Sequence, residues 1–428
     1  RIIALQKEFA HAYLTHKNPY TGNEYRNEPA VALVELVNEN SLIEYWARGR
    51  LQGGPAKPVT DPTWNDIPDS YARDLDALYQ DYLAKSVPPA TLAAIRAEAG
   101  ADASQAVPRL APAQFKAASA QRFRTEAAFY VALEDRFYQS MQAYLKNDLK
   151  VQVSIVANSA HASTFTTYPL VSATSKLDVV DTHVYWQHPS YTRDAGGKTT
   201  SFKILNTPMV NEPGKSTVVT LHRCAVLGKP FTVSEVNHPY PNEYGAEMIP
   251  ILASYAAFLD WDGIFWYSFE HSAASNWVPR YPGHFDIRQD PVKMTQLAAG
   301  AIAFLRGDVA ASRRTVPRSL SSADVLESIR MPGSEALLFT PGAAPGALLQ
   351  DDIRIASFDA KKTTRLPSAK PPYRANTREI EWSLEKGKGL VTVSTPRYES
   401  ATGFVKEKPV RLKTLGLELD NAFASVML

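Results

Sequence analysis

The sequence predicts an α/β protein: a parallel sheet with helical crossovers over about residues 1–310, followed by a β-sandwich-like domain over 311–428. Two observations predict this division. From about residue 30 to 306, short apolar runs alternate with longer segments of helical period, which is typical of βα units whose strands are buried on both faces. Past residue 306, short β-like segments separated by Pro, Gly and Asn turns take over.

Five short apolar runs are the candidate strands of the parallel sheet. The runs span residues 30–38, 151–158, 177–186, 230–235 and 263–269. Each is too short for a core helix, and Val, Ile, Phe or Tyr are frequent in them. Between the first two, residues 125–146 are predicted to be helical, because Phe129, Leu133 and Phe137 recur at helical spacing.

Helical and β-like segments outside the predicted sheet complete the organisation. Apolar residues in 3–14 predict a helix at the start of the chain. Residues 53–124 are rich in Ala and Pro and are predicted to be a helical insertion, with helices at 69–84 and 91–99. In the last domain, β-like segments are predicted at 336–340, 380–384, 390–393 and 423–428, and a helix at 323–330.

The composition limits the classes of ligand and partner that the protein is expected to bind. Lys and Arg number 46 against 44 Asp and Glu, so the formal charge of +2 gives no reason to expect nucleic acid or an anionic membrane as partner. The single cysteine, Cys224, excludes intrachain disulfides and Cys-rich metal sites but leaves the compartment open. The longest apolar stretch, 248–259, is shorter than the roughly 20 residues of a membrane-spanning helix. Because the formal charge is close to zero, a neutral ligand is expected.

Polar and aromatic residues follow the candidate strands where the strands end. The ends of the first, third, fourth and fifth runs carry Asn38 and Glu39; His183, Tyr185 and Trp186; Glu235, Asn237 and His238; and Trp266. In parallel βα folds the carboxyl ends of the strands form the functional face. The sequence therefore predicts that carboxylates, aromatic rings and amides converge on one rim.

This set of side chains fits the cleavage of a glycosidic bond. The reaction needs one carboxylic acid to protonate the leaving oxygen and one carboxylate at the anomeric carbon, and Glu39 and Glu235 fit these roles. Aromatic rings stack on sugar rings, and amide and imidazole groups bind the hydroxyls. The predicted sugar-binding residues are Asn38, His183, Tyr185, Trp186, Asn237, His238, Trp266 and Trp277.

The alternation of side chains along a strand predicts which of these residues face the same side. His183 and Tyr185 are two residues apart, so they are expected on the same side of their strand. The same two-residue period places Glu235 on the same side of its strand as Val233 and Phe231.

Three segments together resemble clan A glycoside hydrolases, in particular the cellulase-type family five and β-galactosidase-like relatives. They are Val34-Glu-Leu-Val-Asn-Glu-Asn-Ser-Leu42, Thr232-Val-Ser-Glu-Val-Asn-His-Pro239 and Gly263-Ile-Phe-Trp266. The resemblance covers roughly residues 1–306 and implies a (β/α)8 TIM barrel.

The resemblance also implies roles for individual residues. An Asn-Glu pair that ends strand four and supplies the acid/base matches Asn38 and Glu39, and the nucleophile at the end of strand seven matches Glu235. A His-x-Tyr on strand six matches His183 and Tyr185, of which the tyrosine would bind the nucleophile. A Trp that ends strand eight matches Trp266, and Asn38 would bind the sugar 2-hydroxyl.

If Glu39 closes strand four, this chain supplies strands four to eight of the barrel. Five strands cannot close an eight-stranded barrel, and an open edge would be prone to association. The resemblance therefore predicts that an N-terminal portion of the same protein, which precedes Arg1, completes the barrel.

The predicted activity is that of a retaining β-glycosidase acting on oligosaccharides or polysaccharides, without metal or organic cofactor. Glu235 would attack the anomeric carbon, while Glu39 would protonate the leaving oxygen and later deprotonate water. Partial burial and the charge of Glu235 would raise the pKa of Glu39 for this double task. Retention predicts carboxyl groups about 5 to 5.5 Å apart, against roughly 6.5 to 9.5 Å for inversion.

Several alternatives stay open at this point. The chain could be a non-catalytic carbohydrate-binding protein with a glycosidase-like cleft, and the sequence decides neither the sugar nor endo against exo action. His183 could be a hydrogen-bonded core histidine, Trp266 could belong to the core, and Trp277 could simply pack in its loop. The histidines lack a short metal-ligand spacing, which argues against a metal site. A polysaccharide substrate favours a secreted or periplasmic location.

Overall fold

The structure is a computed structural model. It describes residues 2–55, 66–158, 167–271, 283–336, 338–361, 363, 370–406, 409–419 and 422–428. These residues form a mixed α/β fold with parallel sheets and a C-terminal antiparallel sheet. The chain divides into two compact units, Arg1–Val180 with Ser322–Gly333 and Asp181–Ser321 with Ser334–Leu428. Residues on both sides of position 310 lie in the second unit, and the domain boundary predicted there stays a prediction.

Eleven α-helices and sixteen strands are formed by the described residues. The helices are α1 Ile2–Leu14, α2 Leu42–Ala47, α3 Asp69–Ser86, α4 Pro89–Ala99, α5 Ala120–Ala143, α6 Thr167–Thr174, α7 Thr217–His222, α8 Met248–Phe258, α9 Pro291–Leu305, α10 Ser322–Glu327 and α11 Gly333–Ala336. The strands are β1 Leu33–Asn38, β2 Ser154–Asn158, β3 Val180–Tyr185, β4 Ser190–Arg193, β5 Thr199–Lys203, β6 Phe231–Asn237, β7 Gly263–Trp266, β8 Thr315–Ser319, β9 Asp352–Ser357, β10 Tyr373–Arg374, β11 Ile380–Glu385, β12 Lys388–Ser394, β13 Glu399–Phe404, β14 Val410–Arg411, β15 Gly416–Leu417 and β16 Phe423–Met427.

The first unit contains the parallel pair of β1 and β2, in which Val34 lies opposite Ile155. Apolar residues of α1, α5 and β2, among them Leu14, Tyr138 and Ile155, form one buried cluster against this pair. The helices predicted at 69–84 and 91–99 are confirmed as α3 and α4, and α5 follows them. An aromatic group in which Trp46 is fully buried joins α2 to α5. The end of β1 therefore sits on a packed helical support.

The second unit contains a parallel sheet in the order β3-β6-β7, with β6 in the centre. The chain passes from β6 through the apolar helix α8 to β7 and then to α9, and α8 and α9 pack on each other. The five strands predicted for the parallel sheets are all confirmed. Among the described residues they form a pair and a sheet of three, so these sheets do not by themselves show a closed barrel.

The C-terminal part forms a five-stranded antiparallel sheet in the order β10-β11-β12-β13-β16. On one face Trp382 is fully buried, and its Nε1 donates to the Val210 carbonyl at 2.9 Å. On the other face Ala401 packs with Val410 and Leu417 of the β14–β15 hairpin. This alternation of buried faces is what a sheet covered on both sides requires.

One predicted strand of the C-terminal part is wrong. The described residues of 336–340 do not form a strand, because Gly333–Ala336 is a helical turn and residues 338–340 lie in no regular element. The strands predicted at 380–384, 390–393 and 423–428 are confirmed. A short apolar run becomes a strand only where another strand offers its backbone groups, and that partner cannot be read from the run itself.

No helix of the described residues is long and apolar enough to cross a membrane.

A buried carboxyl group ties α8 to the segment before α7. Glu247 is fully buried, with Oε1 accepting from the Met209 N–H at 3.0 Å and Oε2 accepting from the Val210 N–H at 2.7 Å. Burial raises the pKa of this carboxyl to about 8, although the two N–H donors act in the opposite direction. The folded state thus holds a proton on Glu247 at pH values where the unfolded chain has lost it.

We therefore expect Glu247→Gln to flatten the alkaline side of the stability profile. Because the folded-state pKa lies above the ordinary value of 4.5, the contribution of Glu247 is fully present below that value and is lost as pH rises through about 8. Urea unfolding at pH 6 and pH 9 should show a smaller loss of unfolding free energy in the variant, by about 1–3 kcal/mol. Glu243→Gln, an exposed change in the same loop, should follow the parent chain; equal slopes for all three proteins would contradict the prediction.

Candidate active site

The carboxyl ends of β3 and β6 bring three of the predicted site residues together in the second unit. Tyr185 Oη donates a hydrogen bond to Glu235 Oε2. His183 Nδ1 lies 3.6 Å from the other carboxylate oxygen, Oε1. The Glu235 side chain is 17% exposed and His183 is 1% exposed. A partly accessible carboxylate is thus held from one side by a phenol and an imidazole.

A β-bulge in β6 is the reason that Glu235 reaches this position. Val233 lies opposite Ile264, but Val236 lies opposite Trp266, so β6 has one residue more than β7 between these pairs. Ser234 and Glu235 consequently both contact side chains of β3. The predicted grouping of Glu235 with Val233 is wrong, because the bulge interrupts the strict alternation on which it rested.

A polar network lies beneath His183. Its Nε2 is 2.7 Å from Ser234 Oγ, which in turn donates to Asp181 Oδ1 at 2.5 Å. The second oxygen of Asp181 accepts from Thr232 Oγ1, also at 2.5 Å. Asp181 and Thr232 are buried, at 2% and 7% exposure. The inner ring nitrogen of His183, Nε2, is therefore bound as in a hydrogen-bonded core histidine. The outer ring nitrogen, Nδ1, faces Glu235.

Asn237 supports the site from behind. Its Nδ2 donates to the carbonyl oxygens of Tyr267 at 2.6 Å and Phe285 at 2.8 Å, and its Oδ1 accepts from Lys293 Nζ at 3.1 Å. Lys293 also donates to the His238 carbonyl at 2.6 Å, and burial lowers the pKa of this lysine. Asn237 is fully buried, and its amide joins the segments that carry Tyr267 and Phe285.

Two further predicted sugar ligands are also buried in protein. Trp186 is 8% exposed and donates from Nε1 to the Thr207 carbonyl at 2.8 Å. His238 is fully buried beside the Trp186 ring, and neither of its ring nitrogens has a hydrogen-bond partner in the described part of the chain. Burial, together with the charge of Lys293, lowers the pKa of His238 well below its usual value. Trp186, Asn237 and His238 are thus buried and support the loops of the site, and the sugar contacts predicted for them stay predictions.

The aromatic residue that β7 directs at the site is Tyr267. Trp266 is half-buried against Met248 and Ile287 of an apolar cluster. The Tyr267 ring lies 6.1 Å from that of Tyr185 in an edge-on arrangement. Neighbouring residues of a strand face opposite sides, so Tyr267 and Trp266 are directed differently, and the sugar-stacking role predicted for Trp266 stays a prediction. Alternation along β7 was the signal that could have shown this.

Other aromatic residues extend from Tyr185 and were missed by the sequence reasoning. Phe285 and His188 lie 4.9 and 5.4 Å from the Tyr185 ring. Beyond them, Tyr191 and Phe202 of the β4–β5 hairpin contact the His284 ring. Because these residues lie in a hairpin and in loops, no strand-end rule pointed to them. Trp277 lies outside the described residues.

Glu39 and Asn38 lie in the first unit, at the end of β1. Glu39 is half-buried and has a φ of 49°, in the left-handed region that non-glycine residues rarely adopt. Such strain costs roughly 1–3 kcal/mol and is frequent at functional sites. Asn38 is exposed and lies opposite Asn158 of β2.

The loop that carries Glu39 is fixed at its far side. Ser41 caps α2 by accepting from the Glu44 N–H, and it donates to Glu134 Oε2 at 2.9 Å. Glu134 also accepts from the Ile43 N–H at 3.2 Å, and burial raises the pKa of its carboxyl to about 7. The strained Glu39 backbone is thus followed directly by an anchored helix start.

Comparison with known proteins adds little to this geometry. The sequence matches no family model and no curated protein. A solved structure with some likeness is that of the GH39 enzyme from Xanthomonas axonopodis pv. citri, at 12% identity and a TM-score of 0.17, covering 64% of this chain. This chain spans about half the length of that protein, since the match covers 52% of it. At this identity and TM-score the likeness assigns neither fold nor function.

Proposed function

We propose that the protein is a retaining β-glycoside hydrolase that cleaves β-linked oligosaccharides or polysaccharides. One observation above all supports this: the Glu235 carboxylate at the end of β6, with Tyr185 donating to one oxygen and His183 beside the other. A fixed, partly exposed carboxylate with a phenol donor is suited to attack at an anomeric carbon. An ordinary surface carboxylate needs neither the bulge nor the two partners.

The proposed reaction proceeds in two displacements. Glu235 forms an ester bond with the anomeric carbon while the glycosidic C–O bond breaks and Glu39 gives its proton to the leaving oxygen. Water then attacks the same carbon, Glu39 takes up a proton of that water, and the ester bond breaks to restore Glu235. The steps consume only substrate and water, so they call for no metal or organic cofactor.

We further propose that the parallel strands belong to a (β/α)8 barrel. In this proposal β1, β2, β3, β6 and β7 are strands four to eight of the barrel. The order of the strand-end residues along the chain supports the proposal. Asn38-Glu39, His183-x-Tyr185 and Glu235 follow one another at the ends of β1, β3 and β6.

Sugar recognition is proposed to use accessible groups only. Tyr267 and Phe285, whose rings contact that of Tyr185, are suited to stacking on a sugar ring. The exposed Asn38 amide is suited to binding a hydroxyl. The same residues would serve a protein that binds a sugar without cleaving it, so only turnover distinguishes the two functions.

The test is hydrolysis of a panel of aryl β-glycosides with gluco, galacto, manno and xylo configuration, followed by proton NMR of the first sugar released. We expect turnover of at least one substrate and the β-anomer as first product. The α-anomer as first product would contradict the retaining mechanism. Sugar binding in calorimetry without turnover of any substrate would show a carbohydrate-binding protein instead.

A further inference from the structure

We propose that Asp181 is a positioning residue that, through Ser234, holds His183 as an imidazolium facing Glu235. The catalytic consequence of this inference rests on the proposed function. The charge state of His183 does not rest on the proposed function, because it follows from the hydrogen bonds between β3 and β6.

The hydroxyl proton of Ser234 is used in a hydrogen bond to Asp181. A hydroxyl has one proton to donate, and Ser234 donates it to Asp181 Oδ1 at 2.5 Å. Both oxygens of Asp181 accept from hydroxyls, since Thr232 Oγ1 donates to Oδ2, as expected for an ionised carboxylate. With Asp181 ionised, a Ser234 proton directed elsewhere would leave two oxygen atoms facing each other at this distance without a proton between them.

The direction of the next hydrogen bond follows from this. Ser234 Oγ lies 2.7 Å from His183 Nε2, and its own proton is already used. Ser234 must therefore accept, and His183 must carry a proton on Nε2. The tautomer of a histidine is set by such partners, and here the partner that sets it is Asp181, one hydroxyl away.

The surroundings of the outer ring nitrogen, Nδ1, then decide the charge of the His183 ring. His183 Nδ1 lies 3.6 Å from Glu235 Oε1. A neutral ring with its proton on Nε2 would turn the Nδ1 lone pair toward this carboxylate, whereas an imidazolium turns an N–H toward it. Asp181 Oδ1, 3.6 Å from Nε2, faces the same ring from the opposite side. Burial by itself disfavours the charged ring, but two carboxylates on opposite sides of it favour a cation over a neutral ring.

Four residues of the second unit face His183. From β3 they are Asp181 and Tyr185, and from β6 they are Ser234 and Glu235. Asp181 and Glu235 are the carboxylates among them. The expected result is a histidine that keeps its proton to higher pH than an isolated imidazole, and a Glu235 carboxylate whose charge is balanced while it attacks.

The test is an NMR titration of the His183 ring nitrogens in the full chain, with the signal assigned by its loss in His183→Gln. In the parent chain we expect both nitrogens to be protonated at pH 7. In Asp181→Asn we expect the titration midpoint to fall by at least one pH unit, a tenfold loss of proton affinity. Thr232→Val removes a hydrogen bond to Asp181 but keeps its charge, so a shift below about 0.3 unit is expected.

Ser234→Ala provides a second variant should Asp181→Asn fail to fold. Without the hydroxyl, Nε2 loses its acceptor, and we expect a lower midpoint than in the parent chain. A kinetic readout is the alkaline limb of kcat/KM on an activated aryl glycoside, measured in a Glu39→Ala background so that Glu39 does not titrate. This limb should move to lower pH by the same amount as the NMR midpoint.

Two outcomes would overturn the inference: a neutral His183 in the parent chain at pH 7, or an unchanged midpoint in both Asp181→Asn and Ser234→Ala. The proposed function fails separately. A His183 that titrates as expected in a protein without hydrolase activity would leave the charge assignment in place and remove only its catalytic meaning.

Discussion

The Glu235→Gln variant is expected to lose at least about 10³-fold in kcat on aryl β-glycosides. The amide keeps the shape of the side chain, and its oxygen can still accept from Tyr185 Oη, the partner of the native carboxylate. It carries no negative charge, however, and cannot form the glycosyl ester of a double displacement. Because the fold around β6 should be unaffected, sugar binding should persist. Initial rates and calorimetry on the same preparation separate these two properties.

Glu243→Gln is the matched control for this change. Glu243 lies in the loop between β6 and α8 and its side chain is exposed, so the variant should keep the activity of the parent chain. If Glu235→Gln retains more than about a tenth of the activity, Glu235 is not the nucleophile. Equal losses in both variants would indicate a general disturbance of this loop.

The Glu39→Ala variant is expected to show an effect that depends on the leaving group. Substrates with a poor leaving group need a proton from the general acid, so their hydrolysis should fall by about 10²–10⁴-fold. A dinitrophenyl glycoside needs no such proton, and formation of its glycosyl-enzyme should be nearly unaffected. Azide can then replace water without base catalysis, so it should restore turnover and yield a β-glycosyl azide. Rate measurements across a leaving-group series, with product analysis by NMR, test this.

Glu8→Ala serves as the control here, because Glu8 is an exposed glutamate of the same unit, on α1. It should behave like the parent chain with every leaving group. An equal loss for all leaving groups in Glu39→Ala, with no rescue by azide, would contradict the acid/base role. An α-glycosyl azide as product would contradict the double displacement.

The positions of the strands and of the residues that end them were predictable from the sequence. Runs such as 30–38 and 230–235 are too apolar to be exposed and too short to be core helices. Since such a run is typical of a buried strand, the residues that follow it are expected at the edge of the sheet. Tyr185 and Glu235 were found in this way, and the structure brings them together.

The orientation of those residues was not predictable, because it depends on pairing between strands. The bulge that turns Glu235 toward β3 exists only through the register of β6 against β7. The choice of Tyr267 in place of Trp266 likewise follows from which side of β7 the helices cover. Strict alternation is a property of an isolated strand, and it fails where a neighbour forces an extra residue into the ladder.

Burial of the polar candidates was also decided by the tertiary structure. Asn237 and His238 stand at a strand end like Glu235, yet Lys293 of α9 lies behind them, and donates to the Asn237 amide and the His238 carbonyl. The sequence by itself determined which chemistry the protein carries at its strand ends, since local apolar runs fix where strands stop. Only the tertiary structure decided which of those side chains face solvent, because a side chain becomes accessible or buried through the elements that pack on it.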